Sequence, residues 1–261
     1  MFQPIVIGTG LVAWRNLQRT LPDQLATFSA SAAQDRLTNG FIEKASSLTS
    51  ADAVVEDRQV LQVALGAYGL QDDIDNRYFI NRILSEGATD DDALANRMTD
   101  SRYERLASDF ALDGVTQFVG VLPNKAEEIA DLFNEQSFAL AVGNVNEDLR
   151  LALNAETELS RIAELDVSDD AKWYLIMGNA PLRSVMESAL SLPSSFGQLD
   201  VDKQLEVFRE KSESAFGVGE VDELAEDAVK SKVIDLFLLK EQLSQGQSLS
   251  SQNIALQLLQ T

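Results

Sequence analysis

Between Pro22 and Pro123, and again after Pro193, no proline interrupts the chain; the five prolines stand at 4, 22, 123, 181 and 193. Such runs can be filled by strands or by helices, but continuous alternation of apolar and polar residues is hard to find in either one. The expectation is therefore an all-α, multihelical chain. With 261 residues, 45% of them hydrophobic, it can bury one large core or two lobes of roughly 130 residues each.

Helix starts and stops recur with the residues that helix ends require. Phe79, Ile80, Ile83 and Leu84 lie on one stripe that Gly87 ends. Thr89 followed by Asp90, Asp91 and Asp92 predicts a capped helix start, where free N–H groups and the helix dipole favour carboxylates. Ser101 and Glu104 have capping-box spacing ahead of Tyr103, Leu106, Ala107 and Phe110. Ser168 with Asp169 and Asp170 repeats the device before Trp173. From Leu224 to Lys240 the spacing predicts a core helix, with Ala225, Ala228, Val229, Val233, Leu236 and Phe237 on one stripe and Lys232 and Lys240 at its edges.

The two halves of the chain share ordered matches. Val60, Ala64 and Leu65 correspond to Val185, Ala189 and Leu190, and Asp73-Ile74-Asp75 to Asp200-Val201-Asp202. Leu94-Ala95 corresponds to Leu224-Ala225, and Ser101, Arg102 and Leu106 to Ser231, Lys232 and Leu236. Their common order suggests two related helical lobes from an internal duplication. Pro123, followed by Asn124 and Glu127, reads as a break and a new helix start. The expected organisation is a neutral helical segment over 1–50, a first lobe over 51–122, a second over 123–240, and a Gln/Ser-rich segment over 241–261.

Charge and composition narrow the partners. The net charge is −21, a field that repels phosphate backbones and anionic lipid, so neither nucleic acid nor membrane insertion is expected. Residues 1–50 carry four cations against three acids, and Glu241–Thr261 hold one charge and six glutamines. No apolar run approaches the ~20 residues of a membrane span, and Met1–Ala13 lacks the basic start of a secretory signal. The expected location is the cytoplasm, with no exit by the general secretory route.

No histidine and no cysteine occur in the chain. That removes the common general base, the Ser-His-Asp and Cys-His triads and most zinc ligand sets, and it leaves only carboxylate or lysine chemistry. No catalytic, cofactor or metal residue is nominated. Gly8-Thr9-Gly10-Leu11-Val12-Ala13 has the G-x-G-x-x-A form of a dinucleotide fingerprint, but no second strand ending in an acid follows it. It reads instead as a lead-in to the helix carrying Trp14 and Leu17. Asp72-Asp73-Ile74-Asp75-Asn76 lacks the glycine and glutamate of a calcium loop and reads as a capped helix start. Trp14, Trp173 and Tyr174 suit either a sugar-binding groove or a core, and helical spacing favours the core.

Several runs carry a family resemblance: Ser50-Ala51-Asp52, Val60 through Leu70, Arg82-Ile83-Leu84-Ser85-Glu86-Gly87, Leu94-Ala95-Asn96-Arg97, Asp100-Ser101-Arg102-Tyr103, Ala141-Val142-Gly143, Leu149 through Leu153, and Ala189 through Pro193. Together they resemble an alphaproteobacterial family of unknown function. The resemblance implies a multihelical, internally duplicated fold and a gene context among flagellar genes; it brings no catalytic residues. On that footing the expected role is a non-catalytic structural or interaction protein with a protein partner. The alternative is a cytoplasmic acidic adaptor or export chaperone for a basic partner. The segment Ser250–Gln260 looks like the terminal helices of flagellins and hook-associated proteins, with Ile254, Ala255, Leu258 and Leu259 as a candidate interaction stripe. The ordinary alternative is a last helix packed on its own core.

Overall fold

A computed structural model describes residues 2–112, 121–193 and 195–259, with side chains described as far as Ser244. It is 75% helical, and no strand occurs among the described residues. The first six helices are α1 (Gly10–Ser29), α2 (Ala32–Ala45), α3 (Ala51–Glu56), α4 (Arg58–Ala67), α5 (Arg77–Glu86) and α6 (Ser101–Phe110). The remaining seven are α7 (Pro123–Gly143), α8 (Glu147–Ala163), α9 (Asp169–Gly178), α10 (Ala180–Ala189), α11 (Val201–Phe216), α12 (Val221–Leu224) and α13 (Asp227–Leu259).

The helices form two compact units. Met1–Ile5 and Thr20–Val142 make the first; Val6–Arg19 and Gly143–Thr261 make the second. Pro123 does open a helix, as the sequence indicates, but the unit boundary lies twenty residues further on, at the end of α7. The reason is packing: Ala126, Ile129 and Phe133 of α7 belong to the core of the first unit, with Phe41, Val54, Leu61, Ile83 and Phe110. Gly66 of α4 makes the fit, since a Cβ there would lie 2.6 Å from the Phe133 ring. The expected separate segment 1–50 is likewise divided, because α1 contributes to both units and α2 packs in the first.

Two predicted caps in the first unit differ from what forms. The aspartates at 90–92 lie in a turn rather than a helix. Asp90 accepts the Asp92 N–H at 2.9 Å, Asn96 donates to the Ala88 and Asp90 carbonyls at 2.8 Å, and the Glu86 carboxylate accepts the Leu94 N–H at 2.7 Å. Those side-chain bonds satisfy the backbone locally and compete with helix. The cap of α6 is Asp100, not Ser101: its carboxylate accepts the Arg102 N–H at 3.0 Å and pairs with the Arg102 guanidinium at 2.7 Å. Gly87 ends α5 as expected, with φ of 68°.

In the second unit, Ser168 caps α9 by accepting the Ala171 N–H at 3.3 Å, as predicted. Trp173 stacks on Phe208, ring centroids 5.8 Å apart, and its indole N–H donates to the Gly219 carbonyl at 3.1 Å. Buried Glu158 accepts from Arg161 and from the Asn179 amide at 3.1 Å, while Asn179 itself caps α10. A buried carboxylate survives only when paired and hydrogen-bonded in this way.

The predicted helix over Leu224–Lys240 is interrupted: α12 ends at Leu224 and α13 starts at Asp227. Its buried residues are Val229, Val233, Ile234, Phe237 and Leu238. Ala228 is exposed and Leu236 is half-buried. The buried face is thus turned from the predicted stripe toward Ile234 and Leu238.

Both units run through the same order of elements. Two helices (α3–α4; α9–α10) lead to a 3-10 turn (Gln71–Asp73; Phe196–Gln198) and a helix (α5; α11), then a short turn (Ala95–Arg97; α12) and another helix (α6; α13). Ser50 caps α3 as Ser168 caps α9. Gly69 after α4 and Ser191 after α10 both adopt left-handed backbone. In both places the next residue closes the helix end, through Leu70 N to Leu65 O at 2.9 Å and Leu192 N to Glu187 O at 2.8 Å. These landmarks set Val63 level with Val185 and Ala67 with Ala189, one helical turn from the pairing seen in the sequence.

Candidate interaction surface

The sequence draws attention to both ends of the chain, and the second unit brings part of each together. Gly8 and Gly10 have φ of 96° and 53°, backbone that other residues rarely adopt. They turn an extended lead into the start of α1, and no strand precedes them, so the strand-turn-helix setting of a dinucleotide site is absent among the described residues. Gly10 also permits a close approach, since a Cβ there would lie 2.5 Å from the Gln242 side chain on α13. Five residues on, the Arg15 guanidinium meets the Asp235 carboxylate at 2.5 Å. The opening turns of α1 therefore run antiparallel to α13. Ala13, Trp14 and Leu17 are fully buried, and Gln18 donates to Glu156 of α8 at 3.3 Å.

Beside this contact α13 presents an apolar stripe outward. Lys232, Leu236, Leu239 and Leu243 follow one another at spacings of four, three and four, which places them on one helix face. Leu236 is half-buried, Leu239 is 41% exposed and Leu243 is 55% exposed. On α1, Val12, between the Gly10 and Arg15 contacts, is 64% exposed. The charge here departs from that of the whole molecule. Residues 6–19 and 228–261 carry Arg15, Arg19, Lys230, Lys232 and Lys240 against Asp235 and Glu241 only, within a chain of net charge −21.

Elsewhere several polar groups hold helices together. Tyr68 donates to Asp109 at 2.8 Å, and its hydroxyl is held well above the ordinary tyrosine range by burial and by that carboxylate. Arg105 lies over the Tyr68 ring, 5.3 Å from its centroid. Tyr103 donates to Asp73, and burial followed by that bond pushes its hydroxyl upward. Asp73, read in the sequence as part of a helix start, thus ties α6 to the 3-10 turn after α4. No group of three or more acids suited to a metal occurs among the described residues. No described helix is long and apolar enough to cross a membrane.

A family model described as "protein of unknown function (DUF1217)" matches residues 67–228. The chain belongs to this family. The X-ray crystal structure of a protein from Agrobacterium tumefaciens, solved in a structural genomics programme, superposes with a TM-score of 0.73 at 23% identity. The match covers 94% of this chain and 98% of that one, and it shows a common fold. No curated protein matches the chain.

The family match stops at residue 228, so the outward stripe of α13 lies beyond it. The candidate interaction residues Ile254, Ala255, Leu258 and Leu259 lie on backbone that continues α13 to Leu259; their side chains lie outside the described residues. The aromatics weighed for a sugar groove do not make one. Trp14 and Trp173 are fully buried, and Tyr174, partly exposed, donates to Asp202 at 2.8 Å. Sequence reasoning missed Leu239 and Leu243, although their spacing from Leu236 was available. The signal was masked because Leu236 was assigned to the core stripe.

Proposed function

We propose that the chain is a non-catalytic interaction protein of the flagellar apparatus or its export system, built on an internally duplicated helical fold. The observation that carries the reading is the outward stripe of Leu236, Leu239 and Leu243 on α13. Leucines at alternating spacings of three and four on one helix face fit a second helix laid along them. The cations Lys232 and Lys240 on the same helix favour a partner helix whose flanks are acidic, Arg15 being paired with Asp235. The matching order of elements and helix-end landmarks in the two units supports the duplication, and the flagellar setting follows from the family resemblance.

The test is made in the parent bacterium. Leu239→Asp with Leu243→Asp, placed on a surface already exposed, is expected to leave the melting temperature within a few degrees while impairing swimming and removing the protein from flagellar fractions. Tyr78→Asp, at an exposed aromatic of the first unit, is the control. Normal motility and unchanged fractionation after deletion of the gene would sink the flagellar reading. Normal localisation of the double variant would sink the role of the stripe.

A second reading has its own support. Glu220, Asp222, Glu223, Glu226 and Asp227 are exposed around α12 and the start of α13, and such a field would speed association with a basic partner. In that case the protein acts as an adaptor, stays with the cytoplasmic fraction, and loses its partner as salt is raised.

A further inference from the structure

We infer that the two repeats of the chain complete each other by exchanging their first helices, so that each unit holds a helix-accepting groove whose occupant comes from the other repeat. The order of elements makes α1 and α7 equivalent, since each opens a run of the same kind. The units do not keep them in place. α7, which opens the second repeat, packs in the first unit; residues 6–19, including the opening half of α1, pack in the second.

The two grooves receive their guests alike. In the first unit Lys125 of α7 reaches the Asp109 carboxylate at 3.5 Å, and in the second Arg15 of α1 reaches the Asp235 carboxylate at 2.5 Å. Asp109 and Asp235 are the ninth residues of α6 and α13. Counted from the helix starts, a cation of the incoming helix thus reaches the ninth residue of the last helix in both units, although Lys125 also pairs within α7 with Glu128 at 2.6 Å. Each groove also has a close-approach glycine, but on opposite partners: Gly66 of the host α4 lies against Phe133 of the guest, and Gly10 of the guest α1 lies against Gln242 of the host α13. Each guest brings a large apolar residue, Phe133 or Trp14, into a core.

Within α1 the change of unit falls between Arg19 and Thr20. Pro22, three residues later, has no N–H to give to the Gln18 carbonyl, which weakens the helix ladder at that junction. An arm that leaves one packing unit and enters another at a weakened point is the geometry of a domain swap. Here the swap is closed within one chain. Residues 1–112 on their own lack α7 against Gly66, and residues 121–261 lack the opening turns of α1, whose Gln18 meets Glu156 of α8 and whose Arg15 meets Asp235 of α13. The partner of each half is thus the first helix of the other repeat, which brings a buried aromatic residue, Phe133 or Trp14, and a cation, Lys125 or Arg15, that reaches an acid of the last helix. The equivalence of α1 and α7 rests on the duplication reading; the exchange of packing does not.

The experiment uses the full chain with a specific protease site inserted between Leu112 and Val121. After cleavage the two pieces are expected to co-elute as a 1:1 complex with native helical signal, to separate in urea, and to recombine on dilution. With Trp173→Phe in place, Trp14 is the only tryptophan; its emission is expected to stay blue in the nicked complex and to shift red when the pieces part. Two folded pieces that separate without denaturant would overturn the exchange, while leaving the duplicated order of elements intact. If cleavage itself unfolds the protein, uncut Trp14→Ala decides. Exchange requires the unfolding midpoint reported by Trp173 fluorescence, in the second unit, to fall while amide protection in α4 holds. Loss of α4 protection with Trp173 unchanged would overturn it.

Discussion

The Arg15 guanidinium and the Asp235 carboxylate meet at 2.5 Å across 220 residues of chain, yet the pair is not what holds the opening turns of α1 in place. Its side chains are 55% and 32% exposed, and exposed ion pairs contribute about 0.2–1 kcal/mol. Trp14, one residue earlier, has no exposure at all, and truncating a buried tryptophan costs about 3–5 kcal/mol. Urea melts of Arg15→Ala and Trp14→Ala are expected to differ accordingly, and raised salt should shrink only the first effect. Equal losses would mean that the charge, not the indole, anchors the segment.

Gly66→Ala sets two effects against each other. Replacing a helical glycine by alanine gains up to about 1 kcal/mol of helix propensity. The added carbon would lie 2.6 Å from the Phe133 ring, and overpacking costs about 1–3 kcal/mol. A net loss of stability is expected, and Phe133→Leu in the same chain should recover part of it through non-additivity. A stabilised Gly66→Ala would show that Phe133 moves aside freely, and would weaken the assignment of α7 to this core.

Much of the fold was legible because helix ends depend on local chemistry. Ser168, Gly87 and Pro123 mark the ends the sequence assigns to them, since a hydroxyl, a left-handed backbone and a missing N–H act within a few residues. The cap at Asp100 rather than Ser101 is an error of one position between two good acceptors. The turn at Asp90–Asp92 was misread because its competitors, Glu86 and Asn96, bond to the backbone across the loop. The burial of Ile234 and Leu238 and the seating of α7 against Gly66 lay out of reach. Both depend on which distant helices meet, and periodicity within one helix carries no record of that. The stripe at Leu239 and Leu243 was legible as spacing, but its exposure was not.

Burial pushes the Glu156 carboxyl above the ordinary glutamate range, against the hydrogen bond from Gln18 and the attraction of Lys230. A carboxyl whose pKa is raised on folding adds stability that is fully present below its unfolded value, about 4.3, and lost as pH rises through the folded value. Glu156→Gln keeps a group able to face Gln18 and removes that titration. The variant is therefore expected to gain melting temperature over the parent at pH 7 and to lose that gain near pH 4. Asp57 runs the other way: the hydrogen bond from Lys44 holds its carboxyl below the usual range, so its stabilisation is present at neutral pH and lost as pH falls through the folded value. Lys44→Met should then cost stability at pH 7 and little in strong acid. A constant difference across pH for either variant would contradict these assignments.

The second unit offers a sharper comparison along one helix, because α13 changes character between Leu238 and Leu239. Phe237 and Leu238 are each 1% exposed, Leu239 is 41% exposed and Leu243 is 55% exposed. Large-to-small changes at fully buried positions cost about 2–5 kcal/mol, out of a total stability of about 5–15 kcal/mol. At half-exposed positions much of the side chain is already in water, so truncation removes little burial and costs under about 1 kcal/mol. Leu236, half-buried, belongs between the two pairs. The expected order of loss in urea melts is Phe237→Ala and Leu238→Ala, then Leu236→Ala, then Leu239→Ala and Leu243→Ala. A partner helix seated on the stripe reverses the ranking in the complex, because Leu239 and Leu243 then become the buried residues. Binding losses concentrated at 239 and 243, with stability losses at 237 and 238, would separate a docking face from a core face on the same helix. If Leu239→Ala destabilises the isolated protein as much as Leu238→Ala, the stripe is already covered by the chain itself, and the interaction reading loses its main support.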